Sequence, residues 1–262
     1  MIDLQGYTRQ NVSYWTVRAP SYSGVTREEL DSGQRRVWRQ TLDERIQAHF
    51  PGKIRPEIRV LDVGTGPGFF AILLTELGYP TTAVDYTDAM LRQARKNAGD
   101  LAPGIRFLQM DAQALAFPAA SFDVIVSRNL TWNLPQPELA YRQWARVLSP
   151  GGLLLNFDAN WYRYLYDGQA ETEHQADREN VHASGVADDT AGTDVAAMET
   201  IARQSPLSRS MRLQWDCKVL EALGLRVSAD TNIWQQVWTR TEWINNASTP
   251  MFLVSAVKPA TC

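Results

Sequence analysis

Cysteine, histidine and long apolar runs are all scarce in this chain. Only Cys217 and Cys262 are present, and neither has a partner at metal-ligand spacing. That argues against a disulfide framework or a zinc site, and it fits a reducing, cytoplasmic compartment. No apolar run reaches the roughly 18 residues needed to span a bilayer, and the start, Met1-Ile2-Asp3-Leu4-Gln5-Gly6, has neither a basic nor an apolar leader region, so secretion and membrane insertion are not expected. Basic excess is absent too: the net charge is −3, which gives no global pull toward nucleic acid. What remains is a soluble-type composition, 44% hydrophobic and 21% charged over 262 residues, enough for one large domain.

Strand and helix signals alternate through the first 158 residues. Residues 27–50 predict one helix, because Leu30, Val37, Trp38, Leu42, Ile46 and Phe50 form a stripe that Pro51-Gly52 stops. Short apolar strands are read at 59–63, 81–84, 105–110, 122–127 and 153–157, with helices at 69–77, after Thr87, and at 136–148. Such alternation implies parallel strands and right-handed crossovers. The pattern breaks at 159–212, where no strand is visible. Glu171, Glu173, Asp177, Glu179, Asp188, Asp189, Asp194 and Glu199 face only Arg178. Asp216 is read as the cap of a helix carrying Val219, Leu220 and Leu223. Further strands are read from Leu225 and at 251–257.

The densest signal is Val60-Leu61-Asp62-Val63-Gly64-Thr65-Gly66-Pro67-Gly68. Glycines let a strand turn sharply into a helix and let a ligand lie against bare backbone. Asp85 follows Gly64 by 21 residues, at the end of the second strand, where a carboxylate can accept both hydroxyls of a ribose. A nicotinamide fingerprint requires glycine at position 69, and Phe69 stands there; no lysine follows the glycines, which excludes a P-loop.

In order and spacing these residues, with Val84-Asp85, Met110-Asp111-Ala112, Leu115-Ala116-Phe117-Pro118, Ser121-Phe122-Asp123-Val124-Ile125 and Arg146-Val147-Leu148-Ser149-Pro150-Gly151-Gly152, resemble the class I methyltransferases of the type 11 group, which includes the quinone and sterol C-methyltransferases. Tyr14-Trp15-Thr16-Val17-Arg18-Ala19-Pro20-Ser21-Tyr22 also resembles the start of some bacterial members. The resemblance implies a Rossmann-like α/β fold: one domain over 1–262, with a seven-stranded, mostly parallel sheet whose last strand is antiparallel. The resemblance covers about the first 158 residues; from the residues themselves, a helical arm over 1–50 and the insertion over 159–212 are expected to form a lid. The implied cofactor is S-adenosylmethionine. Gly64, Thr65, Gly66 and Gly68 would line its methionine part, with Asp62 near the amino group and Asp85 on the ribose. Tyr86 and Met90 would pack on adenine, while Asp111, Ala112 and Gln113 would read its edge. Ser127 and Arg128 would touch the methionine end and the acceptor. Arg18 would pair with the cofactor carboxylate, and Tyr14 and Tyr22 would close over it.

No acid–base machine is visible, and none is required, because methyl transfer from a sulfonium needs alignment and a dry pocket. His49 is read as a surface residue; His174 and His182 could serve as a base only if the insertion closes. Trp132, Trp161, Trp234 and Trp238 are expected to wall a pocket for a flat apolar or cationic acceptor. The expected partner is a small molecule, with a homodimer possible. Nucleic-acid methylation is the rival reading. It is disfavoured because Ser127-Arg128-Asn129-Leu130 replaces the Asn/Asp-Pro-Pro-aromatic run of amino-base enzymes and because the acidic insertion repels phosphate. A transferase moving another group of the same sulfonium is the third. Calorimetry should therefore show binding of S-adenosylmethionine and S-adenosylhomocysteine and none of nicotinamide dinucleotides; the reverse pattern would overturn the cofactor assignment.

Overall fold

The four residues Val60–Val63 carry no exposed side chain and form β1, the centre of a sheet covered on both faces. The computed structural model describes residues 3–260, so Met1, Ile2, Thr261 and Cys262 lie outside the described residues. Around β1 stand β2 (Thr81–Asp85), β3 (Ile105–Gln109), β4 (Phe122–Arg128), β5 (Leu148–Asp158), β6 (Arg226–Asp230) and β7 (Phe252–Val257), in the spatial order β3-β2-β1-β4-β5-β7-β6. The first five strands are parallel, and β7 runs antiparallel between β5 and β6, as the sequence leads one to expect. Strand order reverses between β1 and β4, so a crevice opens at their carboxyl ends.

Two layers of helix cover the sheet. On one face pack α2 (Gly33–His49), α3 (Phe69–Glu76) and α4 (Asp88–Ala98), through Trp38, Leu42, Ile46, Leu73, Leu91 and Ala94. On the other pack α5 (Pro137–Val147) and α8 (Arg212–Ala222), through Tyr141, Trp144, Val147 and Leu220.

The N-terminal reading needs correction. Residues 27–50 are not one helix: α1 runs Leu4–Asp31, and Ser32, in extended backbone, separates it from α2 while accepting the Gln34 N–H at 3.2 Å. A serine side chain that satisfies a free N–H starts a new helix more readily than it sits inside one. No apolar stripe marks most of α1, because its buried face includes Ser23, Thr26 and Glu29 beside Tyr7, Ala19 and Leu30. The insertion is helical, with α6 (Gly168–Ser184) and α7 (Val195–Ala202). Two short helices, α9 (Trp234–Val237) and α10 (Arg240–Asn246), precede β7. Among the described residues no helix is long and apolar enough to cross a membrane, and no cluster of potential metal ligands occurs.

A buried polar network fixes the loop that follows β4. Arg212 reaches Asp158 at 3.0 Å, Asp216 at 3.1 Å and the Thr131 hydroxyl at 2.6 Å, with the arginine and both aspartates almost fully buried. Thr131 Oγ1 and the Trp132 N–H both donate to Asp158, at 2.6 and 3.2 Å. Tyr141 joins through its hydroxyl, bonded to Asp216. Removing one member leaves buried charge without compensation. Arg212→Met is thus expected to destabilise the fold by roughly 3–5 kcal/mol, which urea denaturation will measure; a loss below about 1 kcal/mol would show that the cluster relaxes or hydrates.

Candidate active site

The turn after β1 is built from backbone in the left-handed region: φ is +71° at Gly64, +53° at Gly66 and +95° at Gly68. A Cβ on Gly64 would stand 2.6 Å from a Leu130 methyl, and one on Gly68 would stand 3.0 Å from the Ala94 Cβ. Gly64 therefore admits the loop after β4. Gly68, which lines no part of the cleft, lets α4 pack on the turn instead of facing a ligand. The Gly64 and Thr65 N–H groups donate to the Val84 carbonyl at 2.9 and 3.0 Å, which holds the turn to β2.

Asp85 ends β2 and accepts the Gly66 N–H at 3.0 Å on one oxygen and the Thr87 N–H at 2.8 Å on the other. Burial raises its carboxyl to about 6, against the lowering effect of those two bonds. Asp62 is 2% exposed, and burial pushes it up to about 7 although Thr65 Oγ1 donates to it at 2.6 Å. Asp111 accepts twice from Gln113 on a single oxygen, from N–H at 2.8 Å and Nε2 at 3.1 Å. Gln113 in turn accepts the Gln136 N–H at 2.8 Å, and the Ala112 carbonyl accepts Trp144 Nε1 at 3.0 Å.

These groups converge on one cleft of two compartments. The outer is lined by Asp85, Tyr86, Met90, Asp111, Ala112 and Gln113, and on its far side by Tyr7, Asn11, Trp15, Asn129, Leu130 and Asn133. The inner is lined by Asp62, Thr65, Phe69, Phe70 and Thr26; Tyr22, Gly64, Gly66 and Arg128 face both. The roof is α1, which enters the outer compartment at Tyr7, Asn11 and Trp15 and the inner one at Tyr22 and Thr26.

Several candidates fall elsewhere. Tyr14 and Arg18 line a separate open groove between α1 and α7, where Arg18 donates to Ser21 Oγ at 2.8 Å. They flank the cleft-lining rings instead of entering the cleft: Tyr14 packs edge-on against Trp15 at 5.2 Å, and the Arg18 guanidinium lies 5.9 Å from the Tyr22 ring. Ser127 is buried, with its hydroxyl donating to the Val63 carbonyl at 3.0 Å between strands. Of the tryptophans, Trp132 packs on Tyr162 at 4.8 Å, Trp161 meets Trp238 at 6.5 Å, and Trp234 stacks on Trp243 at 4.2 Å. None of the four lines the cleft; they dock the insertion and the segment before β7 on the body. No residue of 159–212 lines it either, because α7 packs behind α1 through Met198 and Ile201. His49 bonds the Gly151 carbonyl at 2.8 Å and His174 stacks on Tyr164 at 3.9 Å, both away from the cleft.

Other residues carry no sequence signal. Asn129 holds φ +55°, which asparagine tolerates better than most residues, and its buried Oδ1 has no partner although it lies on the cleft. Asn133 accepts from Tyr7 Oη at 3.0 Å and exchanges side-chain bonds with Asn11, at 3.0–3.1 Å, tying roof to floor. A nucleoside-bearing ligand suits this lining: a carboxylate pair, an amide acceptor without a donor, and bare backbone at the turn.

Comparison with known proteins agrees. Residues 61–156 match the family model described as a methyltransferase domain. A ubiquinone/menaquinone biosynthesis C-methyltransferase of Methylobacterium nodulans is 38% identical over 135 residues, covering 50% of this chain and 52% of that protein. A demethylmenaquinone methyltransferase of Renibacterium salmoninarum is 34% identical over 137 residues, covering 52% and 53%. The chain thus spans about half the length of the curated relatives it matches. A chain of the complex between the Haloferax volcanii Trm112 methyltransferase activator and a methyltransferase shares the fold, with a TM-score of 0.58 at 19% identity over 94% of this chain and 97% of that one. Sheet order and glycine turn agree with the match of residues 61–156, 96 of the 262 residues, to a methyltransferase domain.

Proposed function

We propose that this protein transfers a methyl group from S-adenosylmethionine to a small, flat acceptor. The observation that carries the proposal is the convergence of Asp62, Asp85 and Asp111 with the glycine turn on one cleft roofed by α1. The cofactor supplies an electrophilic methyl group; the protein aligns, encloses and dehydrates. Asp85 is suited to the ribose, since each oxygen keeps a lone pair beyond its backbone bond. The second oxygen of Asp111 is suited to the adenine amine, with Tyr86 and Met90 at the ring faces. The acceptor end is lined by Trp15, Leu130 and Leu134 together with the Asn11–Asn133 amide pair, which suits a ring carrying oxygen substituents. The quinone substrates named for the relatives have that character. No side chain of the cleft is assigned as a general base.

Methyl-labelled cofactor incubated with a small-molecule extract, with nucleic acid and with protein should label the first alone. Label in RNA or DNA would favour the rival reading. We further propose that α1 is the moving cover and that the insertion braces it from behind, so hydrogen exchange of residues 4–22, the part of α1 over the cleft, should slow on adding S-adenosylhomocysteine more than that of 168–202. Equal protection in both segments would reject this division of roles.

Two carboxyls that titrate in the neutral range make affinity depend on pH. As pH rises through about 6 and then about 7, Asp85 and Asp62 ionise, and an ionised carboxylate accepts hydroxyl and ammonium donors better than its acid. The affinity for S-adenosylhomocysteine should rise about tenfold or more between about pH 5 and pH 8. The ligand-free fold responds oppositely. An acid whose folded pKa is raised stabilises least when ionised, so that contribution is present below the ordinary carboxyl range and lost as pH climbs toward 7. Asp85→Ala should weaken binding by roughly 1–3 kcal/mol and abolish the inflection near 6 while keeping the one near 7. An unchanged titration in the folded variant would remove Asp85 from the site.

A further inference from the structure

Arg128 ends β4 where the two compartments of the cleft meet. Its guanidinium carbon lies 4.5 Å from the ring centroid of Phe69, 5.3 Å from that of Phe70 and 5.4 Å from that of Trp38. Those faces support the cation but offer it no oxygen. Among the described residues its one carboxylate partner is Glu29 of α1, with Nη1 donating to Oε1 at 2.7 Å and Nη2 to Oε2 at 2.9 Å. The two side chains are only 14% and 10% exposed, so water screens the pair weakly. Burial alone would lower the Arg128 pKa, yet the facing Glu29 more than offsets it and the pKa is raised. A cation desolvated to this degree is strongly destabilising without a counter-charge. Glu29 can therefore leave only if another anion takes its place.

The surroundings suit such an exchange. Glu29 sits three residues before Ser32, the break between α1 and α2, so the end of α1 can shift without unwinding α2. The inner compartment places Asp62 and Arg128 on one cavity, a site for a cation and a site for an anion, which is the charge pattern of an amino-acid terminus. Arg18 lines the groove between α1 and α7 and not this compartment; it donates to Ser21 Oγ at 2.8 Å, with its guanidinium carbon 5.9 Å from the Tyr22 ring centroid.

We propose that Glu29 is a built-in stand-in for the amino-acid carboxylate of the cofactor. On binding, that carboxylate takes the fork of Arg128, Glu29 is released, and the end of α1 unlatches from β4. No covalent bond changes; one carboxylate replaces another on the same guanidinium. The inference rests on the cofactor reading of the cleft, and it makes α1 a latch whose opening is coupled to ligand seating.

The test compares two ligands by calorimetry: S-adenosylhomocysteine, and 5′-methylthioadenosine, which keeps the nucleoside and thioether but lacks the amino acid. Glu29→Gln removes the competing charge and should tighten S-adenosylhomocysteine roughly three- to tenfold while leaving 5′-methylthioadenosine unchanged. Arg128→Met should weaken S-adenosylhomocysteine roughly 10- to 100-fold and change 5′-methylthioadenosine by less than about threefold. Equal losses of both ligands in folded Arg128→Met would overturn the proposal, as would weaker S-adenosylhomocysteine binding by Glu29→Gln. If Arg128→Met fails to fold, judged by circular dichroism, the Glu29→Gln result decides alone. A wild-type protein that binds neither compound would instead refute the cofactor reading itself.

Discussion

The close approach of bare backbone at the turn after β1 is the constraint on which the site depends. With Gly64 lacking a Cβ, Leu130 brings the loop after β4 against the turn; with Gly68 lacking one, α4 closes on it from the other side. Three elements from distant parts of the chain then meet within a few ångströms of the carboxyl ends of β1, β2 and β4. Any side chain at Gly64 would push Leu130 away and carry Asn129 and Asn133 with it. Left-handed backbone at both positions compounds the requirement, because other residues pay for that conformation in strain.

Buried charge organises the rest. Arg212, set between Asp158 and Asp216, immobilises Thr131 and Trp132 and thereby the loop that forms the cleft floor. Arg128 and Glu29 fasten the roof to β4. The two clusters differ in a way that matters for function. The first is sealed within the body and makes several mutual bonds, so it serves as a fixed support. The second opens on the inner compartment and consists of a single pair, so a ligand anion can substitute for one member. Asp62 and Asp85, kept near neutrality by burial rather than paired with arginine, leave the cleft able to respond to a cationic or hydroxyl-bearing ligand.

How the roof is made also explains why the insertion lies where it does. Residues 4–31 bury small polar groups on the body and cannot hold that position by apolar packing alone. Helix α7 adds to the packing of α1 on α4 by placing Met198 and Ile201 behind Tyr7 and Trp132. The tryptophans at 161, 234, 238 and 243 then join the insertion to the segment before β7, which is why they are unavailable to the cleft.

The sequence by itself determined the parallel sheet, the antiparallel final strand, the turn at Gly64–Gly68 and the placing of Asp85, Asp111 and Met90 on the cleft. All are local: strand periodicity, positive-φ glycines and fixed spacing along one βαβ path leave little freedom in where those side chains emerge. Only the tertiary structure decided that α1 alone covers the site and that the insertion stands behind it. Helix α1 has no apolar stripe, because its buried face meets polar partners such as Asn133, Asn97 and Arg128 that lie far along the chain. Nor could composition show that Arg128 lines the cleft paired with Glu29 while Arg18 lines a neighbouring groove, or that Ser127 gives its hydroxyl to Val63. Which side of a helix faces the core, and which aromatic rings consume one another, follow from contacts between remote segments, and those carry no signature in either segment read alone.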